Sequence, residues 1–194
     1  MVRLGTDYID LYQLHGGTIL DNIDETIEAF ELLVSQGKIR YYGISSIRPN
    51  VIREYIKRSN IISVMMQYSL LDRRPEETCL SILQEKNIGV LTRGSVAQGL
   101  LVNKTSTSYL NYTDKEVKIA AHAINHLSGD RRSAAQTALQ YVLHHPAVTS
   151  AIVGMRNILQ LEEAVHAITT PMLTEEEIQR LKQILPANYY EQHR

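Results

Sequence analysis

The chain has 194 residues, and its 20 Lys and Arg against 21 Asp and Glu give a net charge of -1. This balance provides no strong field for attracting nucleic acid or an anionic membrane, so we expect neither as a partner. The single cysteine, Cys79, excludes an internal disulfide. Because the sequence has no charged-then-apolar leader and no long apolar run, we expect a cytoplasmic protein.

The first half of the chain alternates predicted strands and helices. The run Leu4–His15 is almost continuously apolar or aromatic, which is typical of a strand covered on both faces. A helix follows it, with Asp21 and Asp24 as candidate caps and Gly37 as its end. The alternation then continues with strands at 39–44, 62–67 and 89–92 and helices at 49–58 and 75–86.

The second half begins with a polar stretch, 102–113, which we interpret as a mobile polar loop. Helices are predicted at 114–127 and 133–144, a strand at 149–153 and a helix at 157–168. Thr174 and Glu177 form the capping box of a last helix, with Leu173 placed to pack on Ile178. Strands that alternate with helices in this way predict an α/β fold with a parallel sheet.

Polar residues stand where several of these strands end. His15 closes the first strand, and a histidine there is either a hydrogen-bonded core residue or a functional group. Ser45 and Gln67 follow the next two strands and are either ordinary strand-end polar groups or ligand contacts. Arg93 opens the turn 94–99, and a cation with a glycine-bearing turn can receive a pyrophosphate through its side chain and backbone N–H groups.

A second candidate anion site lies at the start of the helix predicted at 157–168. Gly154 allows a ligand to approach the backbone, and the helix N-terminus favours negative charge. Arg156 can bind a phosphate, although an arginine at a helix start is also commonly a solvated side chain. His122 and His126 are four residues apart, but no carboxylate or third ligand accompanies them, so we expect no metal site.

Five motifs, taken in order, resemble the aldo-keto reductases. The run Leu4–His15 resembles the fourth barrel strand of that family, 43–46 the end of the fifth and 66–69 that of the sixth. Residues 90–101 resemble the seventh strand with its loop, and 152–163 the eighth strand with the cofactor helix. The likeness covers essentially the whole chain and is to the bacterial branch with short loops. It implies a (β/α)8 TIM barrel, represented here by strands 4 to 8 and their helices in one partial domain, 1–194.

The resemblance also implies an activity. Members of the family bind NADPH and transfer its hydride to an aldehyde or ketone, so a small-molecule carbonyl substrate is expected. Such barrels place their chemistry at the carboxyl ends of the strands. An aspartate, a tyrosine, a lysine and a histidine share the proton transfer in the family. His15 matches this catalytic histidine, which orients the carbonyl and assists proton donation.

The cofactor contacts follow from the same resemblance. Ser45 and Gln67 match positions that hydrogen-bond the nicotinamide carboxamide. Arg93 stands where the family often has a stacking aromatic residue, and its planar guanidinium could take over part of that role. Arg156 matches the residue for the adenosine 2′-phosphate, which favours NADPH, whereas Ala164 replaces a usual asparagine and loses one adenine contact. The implied cofactor-binding residues are Ser45, Gln67, Arg93, Gly94, Ser95, Val96, Gln98, Gly99, Gly154, Met155, Arg156, Gln160 and Glu163.

The family's aspartate, tyrosine and lysine belong to its first three strands, and of the four groups this chain offers only His15. We therefore expect a truncated reductase whose isolated chain lacks full activity. The alternatives are a non-catalytic module for cofactor sensing or partner binding, and an inactive remnant. An open five-stranded sheet has two unpaired edges, so we also expect self-association or a complementing segment.

Overall fold

The computed structural model describes residues 2–194, in which five strands alternate with seven α-helices. The strands are β1 Ile9–His15, β2 Ile39–Ser45, β3 Ser63–Gln67, β4 Gly89–Arg93 and β5 Val148–Ile152. The helices are α1 Ile23–Ser35, α2 Pro49–Arg58, α3 Cys79–Glu85, α4 Asp114–Ser128, α5 Ala134–Leu143, α6 Ile158–His166 and α7 Glu175–Ile184. Short 3-10 turns occur at Val2–Leu4, Arg74–Glu77 and Ala97–Gly99.

The five strands form one parallel sheet in the order β1-β2-β3-β4-β5, so every strand pairs with its neighbours along the chain. At least one helix separates each pair, as a parallel connection requires. The parallel α/β prediction is therefore confirmed. The sheet of the described residues is not closed, and β1 and β5 form its two margins.

The helices cover one face of the sheet. Val64, Met66 and Val90 point to this face and are fully buried. Phe30 of α1 stacks on Tyr42 of β2, with ring centroids 5.0 Å apart and planes 3° from parallel. Burial of these apolar side chains is the main favourable term holding the helices to the sheet.

We call the opposite surface of the sheet the inner face. It is the face that carries Gln13, Gly43 and Ser63. Residues paired across parallel strands share a face, and the register pairs Gly43 with both Gln13 and Ser63. The Gln13 side-chain amide donates to the Ser63 hydroxyl (3.1 Å). A Cβ on Gly43 would lie 2.4 Å from the Ser63 backbone oxygen, so only glycine allows this close packing.

The structure corrects the prediction for the first strand. β1 begins at Ile9 and not at Leu4, because Gly5 adopts a positive φ of 62° after the 3-10 turn. Tyr8 is 37% and Tyr12 46% exposed, so the strand is not covered on both faces. A continuous apolar run does not reveal that its strand lies at the margin of the described sheet.

Two helix predictions also change. Asn22 caps α1 by accepting a hydrogen bond from the backbone N–H of Glu25, whereas Asp21 accepts from the backbone and hydroxyl of Thr18 (2.7 and 2.9 Å). These Thr18 hydrogen bonds lower the pKa of Asp21. The helix predicted at 75–86 is broken at Thr78, whose φ of -151° separates a 3-10 turn from α3.

The capping box of the last helix is confirmed. Thr174 accepts from the backbone N–H of Glu177, and the Glu177 carboxylate accepts from the backbone N–H of Thr174. Leu173 and Ile178 are both buried in the core, as the predicted hydrophobic contact requires. Local sequence therefore decides where α7 begins.

A largely buried ion pair joins Arg73 and Glu76 in the segment between β3 and α3. Nε and Nη2 of Arg73 donate to one Glu76 oxygen at 3.0 and 2.9 Å. The hydroxyls of Tyr68 and Tyr141 donate to the other oxygen at 2.8 and 3.1 Å. Burial opposes ionisation of Glu76, but the hydrogen bonds and charge of Arg73 outweigh it, so the pKa of Glu76 lies below its ordinary value.

The same arginine fixes the C-terminal segment. Nη1 of Arg73 donates to the carbonyl of Lys182 (2.8 Å), and its backbone N–H donates to the side chain of Asn188 (2.8 Å). The Asn188 amide donates in turn to the carbonyl of Leu71 (3.2 Å). The ion pair thus connects the segment after β3 with α5, α7 and the last residues of the chain.

Replacing Glu76 with alanine should lower the free energy of unfolding by about 3 kcal/mol, because Arg73 would stay buried without its partner. Urea unfolding measures this loss. Glu28→Ala, at an exposed site on α1, is the matched control and should change stability by no more than about 0.5 kcal/mol.

The acid dependence supplies a second readout of this prediction. Because the folded-state pKa of Glu76 is lowered, its contribution is complete above the ordinary value of 4.5 and disappears as the pH falls through the folded-state pKa. The stability difference between wild-type protein and Glu76→Ala should therefore narrow below about pH 4.5. Equal losses for the Glu76 and Glu28 variants at neutral pH would contradict the prediction.

Candidate functional site

The predicted site residues on the strands meet at the carboxyl end of the sheet. His15 is paired with Ser45 in the register of β1 and β2, and the backbone N–H of Gly16 donates to the Ser45 carbonyl (2.9 Å). Gln67 and Arg93 are paired in the register of β3 and β4. His15 and Arg93 are exposed, so the structure does not make His15 a core histidine.

A chain of hydrogen bonds fixes the Gln67 side chain. Nη1 of Arg93 donates to Oε1 of Gln67 (3.0 Å), and Nε2 of Gln67 donates to the hydroxyl of Tyr109 (2.7 Å). Gly94 passes close by, since a Cβ at this residue would lie 3.2 Å from Cγ of Gln67. The Gln67 amide is therefore oriented before any ligand arrives, with one N–H and one acceptor lone pair still free.

Next to these strand ends lies a groove of about 1010 Å³, which we call the β4–β5 groove. Its walls are the segment after β4, 94–104, and the end of β5 with the residues that follow it, 152–164, and Ala135 and Leu139 of α5 also line it. Ten of the thirteen predicted cofactor-binding residues line it: Gly94, Ser95, Val96, Gln98, Gly99, Gly154, Met155, Arg156, Gln160 and Glu163. The other three, Ser45, Gln67 and Arg93, lie at the strand ends outside this groove.

The first wall is a tight turn. The backbone N–H of Ala97 donates to the carbonyl of Gly94 (2.8 Å), and that of Gly99 donates to Val96 (3.0 Å). Ala97 and Gln98 have positive φ values of 47° and 58°, a strained conformation that often marks a functional segment. Ser95 is buried, and its hydroxyl is hydrogen-bonded to that of Thr92 (3.2 Å). Ser95 therefore presents its backbone, and not its side chain, to the groove.

The second wall includes the beginning of α6. Asn157 caps this helix by accepting from the backbone N–H of Gln160 (2.9 Å), and Oε1 of Gln160 accepts from the backbone N–H of Arg156 (2.8 Å). Gln160 thus keeps its amide N–H groups for a ligand. Gly154 has no heavy atom within 4 Å of where its Cβ would be, so a ligand can approach this backbone closely.

Charge in the groove favours an anion. Its charged lining residues are Lys104 and Arg156 against Glu163, and the partial positive charge of the α6 N-terminus adds to the two cations. Such an arrangement is suited to phosphate groups. Arg156 and the glycine-bearing turn both line the groove, whereas Arg93 turns towards Gln67 and does not line it.

Two residues of the loop 102–113 take part in the site although the sequence motifs did not predict them. Lys104 lines the groove, and Tyr109 holds Gln67. The loop is more than a mobile polar rim, because Tyr109 and Tyr112 are buried and paired by two backbone hydrogen bonds of 3.0 Å. The sequence signal for a loop held by buried side chains was this pair of tyrosines, three positions apart in a polar stretch.

Among residues 2–194, no group of three or more His, Cys, Asp and Glu side chains is arranged to hold a metal ion. No helix among these residues combines the length and hydrophobicity needed to span a bilayer.

The fold and site together define a parallel α/β protein with a groove at the carboxyl ends of its last two strands, lined by two cations and one carboxylate. The model of the Aldo/keto reductase family matches residues 1–186, and the chain belongs to this family. The resemblance recognised in the sequence motifs is thereby confirmed.

Individual relatives agree with this assignment. The chain is 53% identical over 203 residues to the uncharacterized oxidoreductase YqkF of Bacillus subtilis, with 100% of the chain and 66% of the relative covered. It is 31% identical to the aldo-keto reductase YhdN of the same organism, with 94% and 60% covered. The chain therefore spans about two thirds or less of the length of these relatives.

Solved structures are similar over the same extent. The apo form of the aldo-keto reductase AKR11C1 from Bacillus halodurans has a TM-score of 0.91 and 52% identity, covering 99% of this chain and 67% of its own. The holo form gives a TM-score of 0.91 and 51% identity, covering 99% and 64%.

The hydrogen bond between Tyr109 and Gln67 generates a prediction. Tyr109→Phe should lower the free energy of unfolding by about 1 kcal/mol and make the loop 102–113 more susceptible to proteolysis, because the Gln67 amide loses its partner. Tyr189→Phe removes a hydroxyl from an exposed side chain and is the matched control. Equal proteolysis rates for the two variants would show that the hydroxyl does not hold the loop.

Proposed function

We propose that the chain is the cofactor-binding part of an NADPH-dependent oxidoreductase that reduces aldehydes or ketones to alcohols. The observation that carries the proposal is the β4–β5 groove, with Arg156 at its rim beside the start of α6. We propose a cytoplasmic location as well, because the single, buried Cys79 suits a reducing compartment.

The residues present fit a phosphorylated dinucleotide. We assign the adenosine 2′-phosphate to Arg156, whose guanidinium can form two parallel hydrogen bonds with it. Gln160 and Glu163 on the same wall are assigned to the adenosine ribose and base. The open backbone at Gly154 and the turn 94–99 leave room for the pyrophosphate. These positions support NADPH over NADH, because only NADPH carries the extra phosphate.

The nicotinamide end is assigned to the strand ends. Gln67 and Ser45 offer the short polar groups that a carboxamide requires, and Arg93 and Tyr109 fix the Gln67 amide for this purpose. When bound, the reduced nicotinamide supplies the hydride. His15, exposed at the end of β1 next to Ser45, is assigned to orient the substrate carbonyl and assist delivery of the proton to its oxygen.

We further propose that the five strands correspond to barrel strands 4 to 8 in one partial domain, residues 1–194. An eight-stranded barrel needs three more β/α units. YqkF is covered over only 66% of its length, which leaves room for such units in a protein of that size. The family's aspartate, tyrosine and lysine would come from those units, so the isolated chain should lack full turnover.

A second candidate, a non-catalytic cofactor-sensing module, is favoured by one observation. Both walls of the β4–β5 groove come from this chain alone, whereas the inner face carries the proposed catalytic residue and is open. A chain of this kind can bind the nucleotide without supplying chemistry. The third reading, an inactive remnant, would have neither property.

Nucleotide binding tests the proposal directly. The melting temperature of the full 194-residue chain should rise with NADPH concentration, because a ligand at 100 times its Kd adds about 2.7 kcal/mol to the stability of the state that binds it. Arg156→Ala should weaken NADPH binding about tenfold or more, through loss of a charge-assisted hydrogen bond, and leave NADH binding unchanged. Arg131→Ala, at an exposed residue outside the groove, is the control. A melting temperature indifferent to NADPH would refute the proposal.

Measurements of turnover test the proposal that the remaining catalytic groups lie outside this chain. The isolated chain should not oxidise NADPH with a panel of aldehydes and ketones. Co-expression with the remaining third of YqkF should yield a complex that does, and His15→Ala in that complex should abolish the reaction. Turnover by the isolated chain that depends on His15 would contradict the proposed division of the barrel and show that the chain is a complete catalyst.

A further inference from the structure

We propose that the 194-residue chain closes its sheet by pairing head to tail with a second copy of itself. In this pair β1 of each copy lies beside β5 of the other, and an exposed apolar stripe on α6 becomes part of the contact. The inference goes beyond the proposed function, because no part of it depends on a bound nucleotide.

The chain exposes more surface than a folded monomer of its mass. Its accessible surface is 11149 Å², whereas a folded monomer of this mass exposes roughly 9,300 Å². If each of two copies buried the excess of about 1,800 Å², the pair would bury about 3,600 Å², which is within the range of obligate homodimers. The excess is therefore large enough for a stable interface.

Part of this excess lies on α6. Four aliphatic side chains, spaced three and four residues apart, form one stripe along α6 and the turn after it and are 40% to 68% exposed: Ile158, Leu161, Val165 and Ile168. On its other side α6 packs beside α5, since Gln136 and Gln140 of α5 donate to the carbonyls of Glu163 and Ala167. A helix of a globular protein normally buries its apolar stripe, so this face of α6 lacks a covering element.

The opposite margin of the sheet has the complementary defect. Tyr12 of β1 lies on the helix-covered face, where its ring meets that of Phe30 of α1 edge to face, with centroids 5.8 Å apart. Tyr12 nevertheless stays 46% exposed, because α1 covers it from one side only. Strand β1 thus lacks a helix over its outer side, whereas α6 lacks a partner for its stripe.

The two margins fit each other because all five strands run in the same direction. A two-fold axis along the barrel brings β1 of one copy beside β5 of the other at two places, and both pairs are parallel. In right-handed parallel units the helix after a strand packs back towards the next strand, so α6 of one copy covers Tyr12 of the other. Such a heterologous contact forms a ring when the rotation closes, and the free edges of β1 and β5 are then paired.

The pairing also completes the candidate site. His15 ends β1, and the second wall of the β4–β5 groove begins at the end of β5. The groove of one copy therefore lies beside His15 of the other, and the inner face is closed. The groove uses other side chains of α6, namely Gln160, Glu163 and Ala164, so a nucleotide and the second copy do not compete for this helix.

Analytical ultracentrifugation of the full chain tests the pairing. The wild-type protein should sediment with twice the mass of one chain. Leu161→Glu should weaken the pair about a hundredfold or more, because a charge would be buried in an apolar contact. Ile119→Glu, at an exposed aliphatic residue of α4, is the matched control and should leave the pair intact. Leu161 is exposed in the single chain, so circular dichroism should show an unchanged fold in both variants.

Cross-linking tests the head-to-tail arrangement. A short bismaleimide should join a Tyr12→Cys chain to a Leu161→Cys chain when the two are mixed. Neither variant alone should be joined, because its two introduced thiols lie at different interfaces of the pair. The natural Cys79 is buried, and the wild-type chain is the control for its reaction.

Several results would overturn the inference while leaving the proposed function intact. They are a monomer at every concentration, a pair that Leu161→Glu leaves intact, and cross-linking within either cysteine variant alone. An assembly whose mass grows without limit would show an open filament and contradict the closed pair. The remaining third of YqkF should displace the second copy, because further β/α units need the same two margins. A wild-type pair that persists with this segment bound would place the contact elsewhere. Failure to bind NADPH would refute the proposed function alone.

Discussion

The buried ion pair between Arg73 and Glu76 is the contact on which the arrangement of the second half depends. It receives hydrogen bonds from the sheet side through Tyr68 and from α5 through Tyr141, and it donates to the carbonyl of Lys182 in α7. A buried charge without a partner lowers the free energy of unfolding. The elements that carry the hydrogen-bonding partners of this ion pair must therefore assemble together. The groove depends on the same assembly, because α5 contributes to its lining and the loop carrying Lys104 is attached to the C-terminal segment.

The open sheet divides the candidate site into two parts with different requirements. The β4–β5 groove needs only two neighbouring strand ends, and both belong to this chain. The inner face, to which His15 belongs, is open because β1 and β5 remain as margins of the described sheet. The two parts of the candidate site therefore depend on different amounts of structure: the groove on two neighbouring strand ends, and the inner face on the closure of the sheet.

The sequence predicted correctly those features that depend on residues close together in the chain. The capping box at Thr174 is correct because its partners lie three residues apart, and the parallel sheet follows from the alternation of elements. The predicted cap of α1 was wrong because the Asp21 carboxylate accepts hydrogen bonds from Thr18. Asn22 is the N-cap instead. Lys104 could not be predicted, since its place in the groove depends on the path of a loop anchored by Tyr109 to a distant strand end.

The order of the strands has a consequence for synthesis. Each strand pairs with the strand made just before it, so the sheet can grow one unit at a time as the chain leaves the ribosome. The second wall of the groove belongs to the last of these units, and Asn188, which holds Arg73, follows later still. The β4–β5 groove is therefore complete only after α6 has left the ribosome, whereas the inner face begins to form as soon as β1 and β2 can pair.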